Sequence, residues 1–274
     1  MDIDIDAEFY KKNYLDIRDL EDEKVKDHFI KYGFWEGRIA SQKMLDDRIN
    51  KNIEIAKKMN ESITDYNYKK KNYELINIII RTSNRPNCFK ININSIKQQN
   101  YKNLVLHITY DNLETLHYIK NTLSDIELQY NLIEVKKSHE ECYYNNYCNI
   151  VLENIQNGFI IFLDDDDKFY HLNSLKYINE YLHEDRFLVW EYFRPDKIIG
   201  PKKGQVKSGL ITSCGFCYHS KYKSKWMIKR AGDYDFVKNL INNNLLKIAK
   251  INKVITSAIN FKYIYGEGNC IDLN

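Results

Sequence analysis

Four consecutive carboxylates, Asp164, Asp165, Asp166 and Asp167, close an apolar run from Phe159 to Leu163 that opens at Gly158. Side by side, such groups repel one another and lose solvation on burial, so they persist in open solvent or around a cation. Carboxylate oxygens are hard ligands suited to Mg²⁺ or Mn²⁺, which bridge onward to phosphate oxygens. A bare charge run would be a solvated turn. Here the preceding run reads as a buried strand, and ligands of open α/β sheets sit beyond the carboxyl ends of strands. Two other carboxylate motifs fail on spacing. An EF-hand loop counted from Asp164 needs Gly at its sixth position, where Phe169 stands. An Asp-x-Asp-x-Thr phosphotransferase loop needs Thr where Lys168 stands.

The elements that must position these residues follow from apolar periodicity. Leu75–Ile80, Leu104–Thr109, Leu132–Val135 and Phe159–Leu163 read as strands, with a later one over Leu210–Tyr218. Helical spacing covers Asn87–Gln99, Leu113–Leu123 and Tyr147–Gln156. Pro86 stops the first strand's loop from continuing as sheet. Strands alternating with helices at this spacing predict a parallel sheet covered on both faces. Residues 7–40 form a helical unit with apolar positions at Phe9, Tyr10, Tyr14, Leu15, Ile17, Val25, Phe29, Ile30 and Tyr32, leaving Glu36 and Arg38 on the surface. An amphipathic helix covers 41–61, and the polar stretch Thr64–Asn72 is the candidate boundary. The expected division is 1–70, helical module and linker helix, and 71–274, catalytic domain. Arg194–Gly209 is a basic, Gly/Pro-punctuated loop, either a mobile lid over an anionic substrate or a plain excursion.

Composition narrows the function classes. The 274 residues carry a formal charge of +3, so nothing pulls the chain strongly toward nucleic acid. The N-terminus, Met1-Asp-Ile-Asp-Ile-Asp6, lacks a secretory pattern, and no run approaches the roughly 20 apolar residues of a membrane span. A soluble, cytoplasmic protein is expected. The wealth of Asn, Ile, Lys and Tyr resembles coding in an AT-rich genome such as that of a large DNA virus. The six cysteines are scattered, which suits reduced thiols. Cys214-x-x-Cys217 is one pair, two ligands short of a closed zinc site. Neither Gly-x-Gly-x-x-Gly nor a P-loop is present.

Four pieces share one order and spacing: Arg81-Thr-Ser-Asn-Arg-Pro86; Ser95-Ile-x-x-Gln-x-Tyr-x-Asn103 with Asp111 beyond; Asn149 to Gly158 leading into Leu163-Asp-Asp-Asp-Asp167; and Gly232-Asp-Tyr-Asp-Phe236. Together, over roughly 73–240, they resemble the family 2 glycosyltransferases. The resemblance implies a GT-A fold: a Rossmann-like α/β sheet of the nucleotide-diphospho-sugar transferases with helices on both faces, here preceded by a small helical domain. The text Glu8-Phe-Tyr-Lys-Lys-Asn-Tyr-Leu-Asp16 with His28-Phe-Ile-Lys-Tyr-Gly-Phe-Trp-Glu-Gly-Arg38 resembles a module appended to bacterial and viral glycosyltransferases.

Carried over, the resemblance implies that Thr82, Asn84 and Arg85 line the nucleotide site and that Asp111 meets base or ribose. Asn149 and Asp165 join the donor site. Asp166 binds Mn²⁺ or Mg²⁺; Asp164 serves the ribose side and the metal; Asp167 lies beside them as a further candidate metal ligand. Asp233 is the implied general base, with Asp235 able to share the role. Trp226 matches an aromatic of the acceptor wall, or packs in the core. The expected reaction is inverting transfer from a nucleotide-sugar, UDP-linked in the first instance, to a hydroxyl on a glycan, protein or lipid. Two departures stand out: Cys148 precedes Asn149 where Arg or Lys is common, and Gly232 stands where Glu is usual. A sugar-1-phosphate nucleotidyltransferase would need a Gly-rich basic signature that Arg81–Pro86 lacks. A non-catalytic glycan-binding or scaffold protein on the same fold is the other rival, and a homo-oligomer built through the N-terminal module is compatible with the sequence.

Overall fold

The run Ile-Asn-Ile-Ile-Ile-Arg forms β1 (Ile76–Arg81), buried on both faces as a central parallel strand must be. It pairs in parallel with β2 (Leu104–Tyr110) on one side and, on the other, with the strand Phe159–Phe162; β2 pairs in parallel with β3 (Gln129–Glu134). Helix α4 (Pro86–Lys97), with Pro86 in its first turn, connects β1 to β2, and α5 (Leu113–Leu123), capped by Asn112, connects β2 to β3. Helix α6 (Tyr144–Asn154) leads back to Phe159–Phe162, which is β4. The computed structural model describes residues 4–64, 66–138, 142–201, 205–229 and 232–259.

Beyond β4 come β5 (Asp167–Phe169), α7 (Ser174–Tyr181), β6 (Arg186–Arg194), β7 (Lys197–Ile199), β8 (Phe216–His219), α8 (Gly232–Asn244) and β9 (Lys247–Ala258). The described strands make one mixed sheet in the order β3-β2-β1-β4-β8-β6-β9-β5, with β7 paired to β6. Ile78, Ile80, Leu106, Ile108 and Ile161 meet α4, α5 and α7 on one face; Ile79, Ile160 and Phe162 meet α6 and α8 on the other. That is a helix–sheet–helix sandwich. The topological switch lies at β1, whose neighbours are reached by connections in opposite directions.

Several expected boundaries shift. β3 begins at Gln129 rather than Leu132, because an edge strand needs little apolar pattern, and its first three residues are exposed. The strand expected over 210–218 is confined to Phe216–His219, after a tight turn at Ser213–Gly215. The loop expected from Arg194 opens as a hairpin, Arg194 pairing with Lys197 across β6 and β7. Residues 202–204 of that loop, the C-terminal stretch from 260 and Cys270 lie outside the described residues.

At the N-terminus, α1 (Ala7–Asn13) and α2 (Asp22–His28) bury Tyr10, Tyr14, Ile17, Val25 and Phe29 together with Ala40. Leu15, Ile30 and Tyr32, expected inside, are exposed. Arg38 is not a surface residue. Its side chain is 10% exposed, forks onto Asp16 at 2.9 and 2.6 Å, and lies over the Tyr14 ring. Helix α3 (Gln42–Thr64) then docks on β9, where Asn60 exchanges hydrogen bonds with the Val254 backbone at 2.7 and 3.0 Å. After it, Tyr66 packs on Tyr177, and the Lys69 and Lys70 amides donate to Glu180.

Candidate active site

After β4 the chain makes a tight turn at Asp165 and Asp166, closed by the Asp167 N–H donating to the Asp164 carbonyl at 2.9 Å, and this turn sends the four side chains in different directions. Asp164 and Asp166 face a cleft of about 230 Å³ at the carboxyl ends of β1, β2 and β4; Arg81, Thr82, Ser83, Arg85, Asp111 and three tyrosines share it. Asp165 and Asp167 point away. Asp165 is fully buried, accepting from Thr82 Oγ1 at 2.6 Å and pairing with Arg85. Asp167, within β5, accepts the Tyr192 hydroxyl at 2.7 Å. The expectation of Asp167 as a metal ligand is corrected by this direction: its carboxyl sits inside the sheet. Asp165 likewise acts as the brace of Arg85 and does not line the cleft.

Two arginines answer the carboxylates. Arg81, at the end of β1, donates Nε to Asp164 Oδ1 at 2.7 Å and Nη2 to Asp164 Oδ2. Its Nη1 donates to Asn145 Oδ1 at 3.2 Å, and its guanidinium lies over the rings of Tyr144 and Trp226 at 5.4 and 5.6 Å. Asp164 also accepts from Ser213 Oγ at 3.1 Å. Arg85 bridges Asp165 and Asp166, the latter at 3.0 Å. Burial pushes the Asp164 carboxyl up, but Arg81 beside it wins and holds it below the ordinary range. Burial raises Asp165 to about 8, and raises Asp166 and Asp167 as well. Asp166 thus shares Arg85 with Asp165, and burial favours its protonated form.

Asp111, after β2, is held by Ser83 Oγ at 2.9 Å, Asn112 Nδ2 at 2.7 Å and the Tyr147 hydroxyl at 3.1 Å. Tyr143, Tyr144 and Tyr147 form a wall beside it at the start of α6. Asn84 adopts φ 55° in the turn into α4; it is exposed and does not line the cleft, so it shapes the loop. Asn149 is buried, its amide bound to the Trp226 backbone, which places it behind the cleft wall. Cys148 is a fully buried thiol raised to about 12 by burial.

Asp233 opens α8 and is half-buried; burial raises its carboxyl, and it is close enough to Arg81 and Asp164 to feel both charges. Asp235, two residues further along, pairs with Lys229. Gly232 has no room for a side chain: a Cβ there would stand 2.6 Å from the Met227 carbonyl and 2.7 Å from Asn145 Nδ2. Trp226 is buried and stacks on Phe236 with centroids 5.0 Å apart, so it serves the core.

Sequence reading missed Arg81, Ser83, Ser213, Asn145 and the tyrosine wall. The visible signal for the wall was Tyr143-Tyr144 with Tyr147 one turn on, in a segment otherwise polar. Two larger concavities, about 520 and 670 Å³, lie at the amino ends of the strands around Gly158 and Asn103; neither gathers the carboxylates of the motifs.

Among the described residues no three His, Cys, Asp or Glu side chains form a metal-holding group. The described residues therefore do not by themselves make a closed, all-protein metal cage. A divalent cation held by one or two carboxylates and substrate phosphates does fit, because that is how Mg²⁺ is usually held and Asp166 lines the cleft beside Asp164. No described helix is long and apolar enough to cross a membrane.

No family model matches the chain, and no curated protein does. Solved structures with similar folds include S. aureus TarS (TM-score 0.55, 16% identity, 67% of this chain and 36% of that one). Its fragment 1–349 in complex with UDP gives TM-score 0.55 and 16% identity over 67% of this chain and 60% of the fragment. The mannosyltransferase PcManGT from Pyrobaculum calidifontis, in complex with GDP-Man and Mn²⁺, gives 0.54 and 9%, covering 80% and 69%. This chain spans about a third of TarS and three fifths of its fragment. At such identities the likeness establishes the fold, which is the GT-A α/β fold.

Proposed function

We propose that this chain is a nucleotide-sugar glycosyltransferase, with 71–274 as its catalytic domain and 1–70 as an appended helical unit. One observation carries the reading: Asp164, Asp166, Arg85, Asp111 and the tyrosine wall converge on one cleft at the topological switch of a GT-A sheet. The tyrosine rings offer a flat apolar wall for a nucleobase, and Asp111, oriented by three donors, accepts from base or ribose. Similar folds bind UDP and GDP-Man, which supports the donor class.

In the proposed reaction the acceptor hydroxyl attacks the anomeric carbon as the bond to the diphosphate breaks. The bonding electrons leave on the phosphate oxygen, and the hydroxyl proton passes to a carboxylate. Asp233 is assigned that role, because burial raises its proton affinity toward the working pH. A single base without a nucleophile predicts inversion. Arg85 offers positive charge to the leaving diphosphate. A divalent cation anchored on Asp166 would add Lewis-acid stabilisation of the same charge. The donor is proposed as UDP-linked, with Mn²⁺ or Mg²⁺.

Thermal stability against UDP and GDP, with and without Mn²⁺, tests the reading. Ligand at 100 times its Kd adds about 2.7 kcal/mol. One nucleotide should stabilise the protein, more so with Mn²⁺, and Asp166→Ala should abolish the metal's increment. Product formation that is unchanged in both Asp166→Ala and Asp233→Ala would sink the assignment. Binding without turnover in the wild type would favour a glycan-binding scaffold.

A further inference from the structure

Asp164 stands in the cleft beside Asp166, yet its two oxygens are occupied. Arg81 Nε reaches Oδ1 at 2.7 Å, Arg81 Nη2 reaches Oδ2, and Ser213 Oγ adds a contact to Oδ2 at 3.1 Å. Their side chains are 14% and 13% exposed, so the pair is shielded from competing water. Planar guanidinium on carboxylate in this forked form is the strongest ion-pair geometry available to side chains. Arg81 is held on its remaining sides too. Nη1 donates to Asn145 Oδ1 and the Tyr144 carbonyl, and two aromatic rings cover its faces. It cannot swing away without giving up contacts to three elements.

The charge comes from β1 and not from α6. Tyr144 and Cys148 are one helical turn apart on α6, and the guanidinium lies against that face. Cys148 is a neutral buried thiol, so the wall itself offers no cation there. Arg85 is different in kind. Its side chain is 21% exposed and it spans two carboxylates instead of clamping one.

We propose that Arg81 is a resident counter-cation that withholds Asp164 from divalent metal, leaving Asp166 as the carboxylate through which the cleft meets a cation. Arg81 is in this sense a positioning residue that sets the cleft's metal affinity in the absence of nucleotide. The inference rests on the proposed nucleotide-sugar site for its purpose, but its test does not need turnover. Removal of Arg81 frees two hard oxygens beside Asp166, and two neighbouring carboxylates hold a divalent ion better than one.

The experiment measures Mn²⁺ binding without nucleotide, by the electron paramagnetic resonance signal of free Mn²⁺, in wild type, Arg81→Met, Arg81→Lys and the double variant Arg81→Met/Asp164→Asn. The Arg81→Met protein should bind Mn²⁺ at least about tenfold tighter than wild type, the scale on which partners of ligand residues change metal affinity. Asp164→Asn in the double variant should cancel the gain. Arg81→Lys keeps the charge without the fork and should fall between. If Arg81→Met is too unstable to titrate, its thermal unfolding is followed in millimolar Mn²⁺, and rescue beyond the wild-type shift supports the proposal. Equal Mn²⁺ affinity in wild type and Arg81→Met, no Mn²⁺ rescue of an unstable Arg81→Met, or a gain that survives Asp164→Asn, overturns it. A parallel titration with UDP separates the two readings: failure of every protein to bind UDP sinks the nucleotide-sugar site while leaving the Mn²⁺ comparison valid.

Discussion

Asn149 and the Trp226 backbone exchange two hydrogen bonds, Nδ2 donating to the Trp226 carbonyl at 3.0 Å and Oδ1 accepting the Trp226 N–H at 2.7 Å. One helical turn earlier, Asn145 Nδ2 donates to the carbonyls of Met227 and Lys229 at 2.9 and 3.0 Å. Two asparagines four residues apart on α6 thus hold 226–229 as a neighbouring strand would. That segment leads into α8, where Asp233 sits.

Replacement of Asn149 by Leu should therefore act on stability first. It orphans a buried N–H and a buried carbonyl, and each unmade buried bond costs about 1–3 kcal/mol. A loss of about 2–4 kcal/mol is expected in denaturant unfolding. Because the amide does not line the cleft, UDP affinity measured on the folded fraction should change little while turnover falls with displacement of Asp233. A large loss of UDP affinity with full stability would return Asn149 to the donor site.

Gly232 is held by the same frame. An added methyl meets the Met227 carbonyl and Asn145 Nδ2 well inside contact distance. Gly232→Ala should cost about 1–3 kcal/mol, the usual scale of overpacking. Gly232→Glu should be worse, since a longer chain adds a carboxylate next to a carbonyl. Calorimetric melting of the two variants checks the order. A Glu variant as stable as wild type would show that the 226–229 segment yields freely.

The strand-helix alternation was legible because β1, β2 and β4 are buried on both faces and so nearly continuous in apolar residues. The Asp164–Asp167 run was legible as a cluster, but its division into two inward and two outward carboxylates was not. Which of four equal side chains faces the cleft depends on the path of the chain after β4. Arg81 reads in sequence as the last residue of a strand, and nothing local says that it closes on Asp164, 83 positions away. Asn149 and Gly232 were visible as motif positions, while their work is on backbone atoms of distant residues, which leave no mark in side-chain type. β3 escaped correct bounds because an edge strand carries little apolar signal.

Asp233 and Asp235 can be told apart by chemistry. Asp235 is engaged by Lys229, whereas Asp233 is a half-buried carboxyl that feels the charges of Arg81 and Asp164. Asp233→Asn should lower kcat by about 10²–10⁴-fold, the range for loss of a general base, with donor KM nearly unchanged. Asp235→Asn should lower it far less. Burial raises the Asp233 carboxyl, so the acid limb of the kcat profile should lie above the ordinary carboxylate range. An unchanged profile in Asp233→Asn, with activity retained, would move the base elsewhere.

His107 makes a separate prediction about stability and pH. On β2 it faces the α6 side of the sheet, with Nε2 3.0 Å from Asn77 Oδ1 and Nδ1 3.4 Å from Asn131 Nδ2. Burial lowers its pKa from 6.5 to about 4, so the folded chain holds it neutral while the unfolded chain takes up a proton first. Protonation then favours unfolding. The stability tied to neutral His107 is complete above the unfolded pKa of 6.5 and is lost as pH falls toward about 4. His107→Gln keeps an amide to bond Asn77 but cannot titrate. Wild type should lose more stability than the variant between pH 7 and pH 4.5, roughly the window of that shift, with parallel curves above neutrality. Denaturant unfolding at several pH values gives the comparison, and curves that stay parallel down to pH 4.5 would mean that His107 is hydrated or charged in the fold.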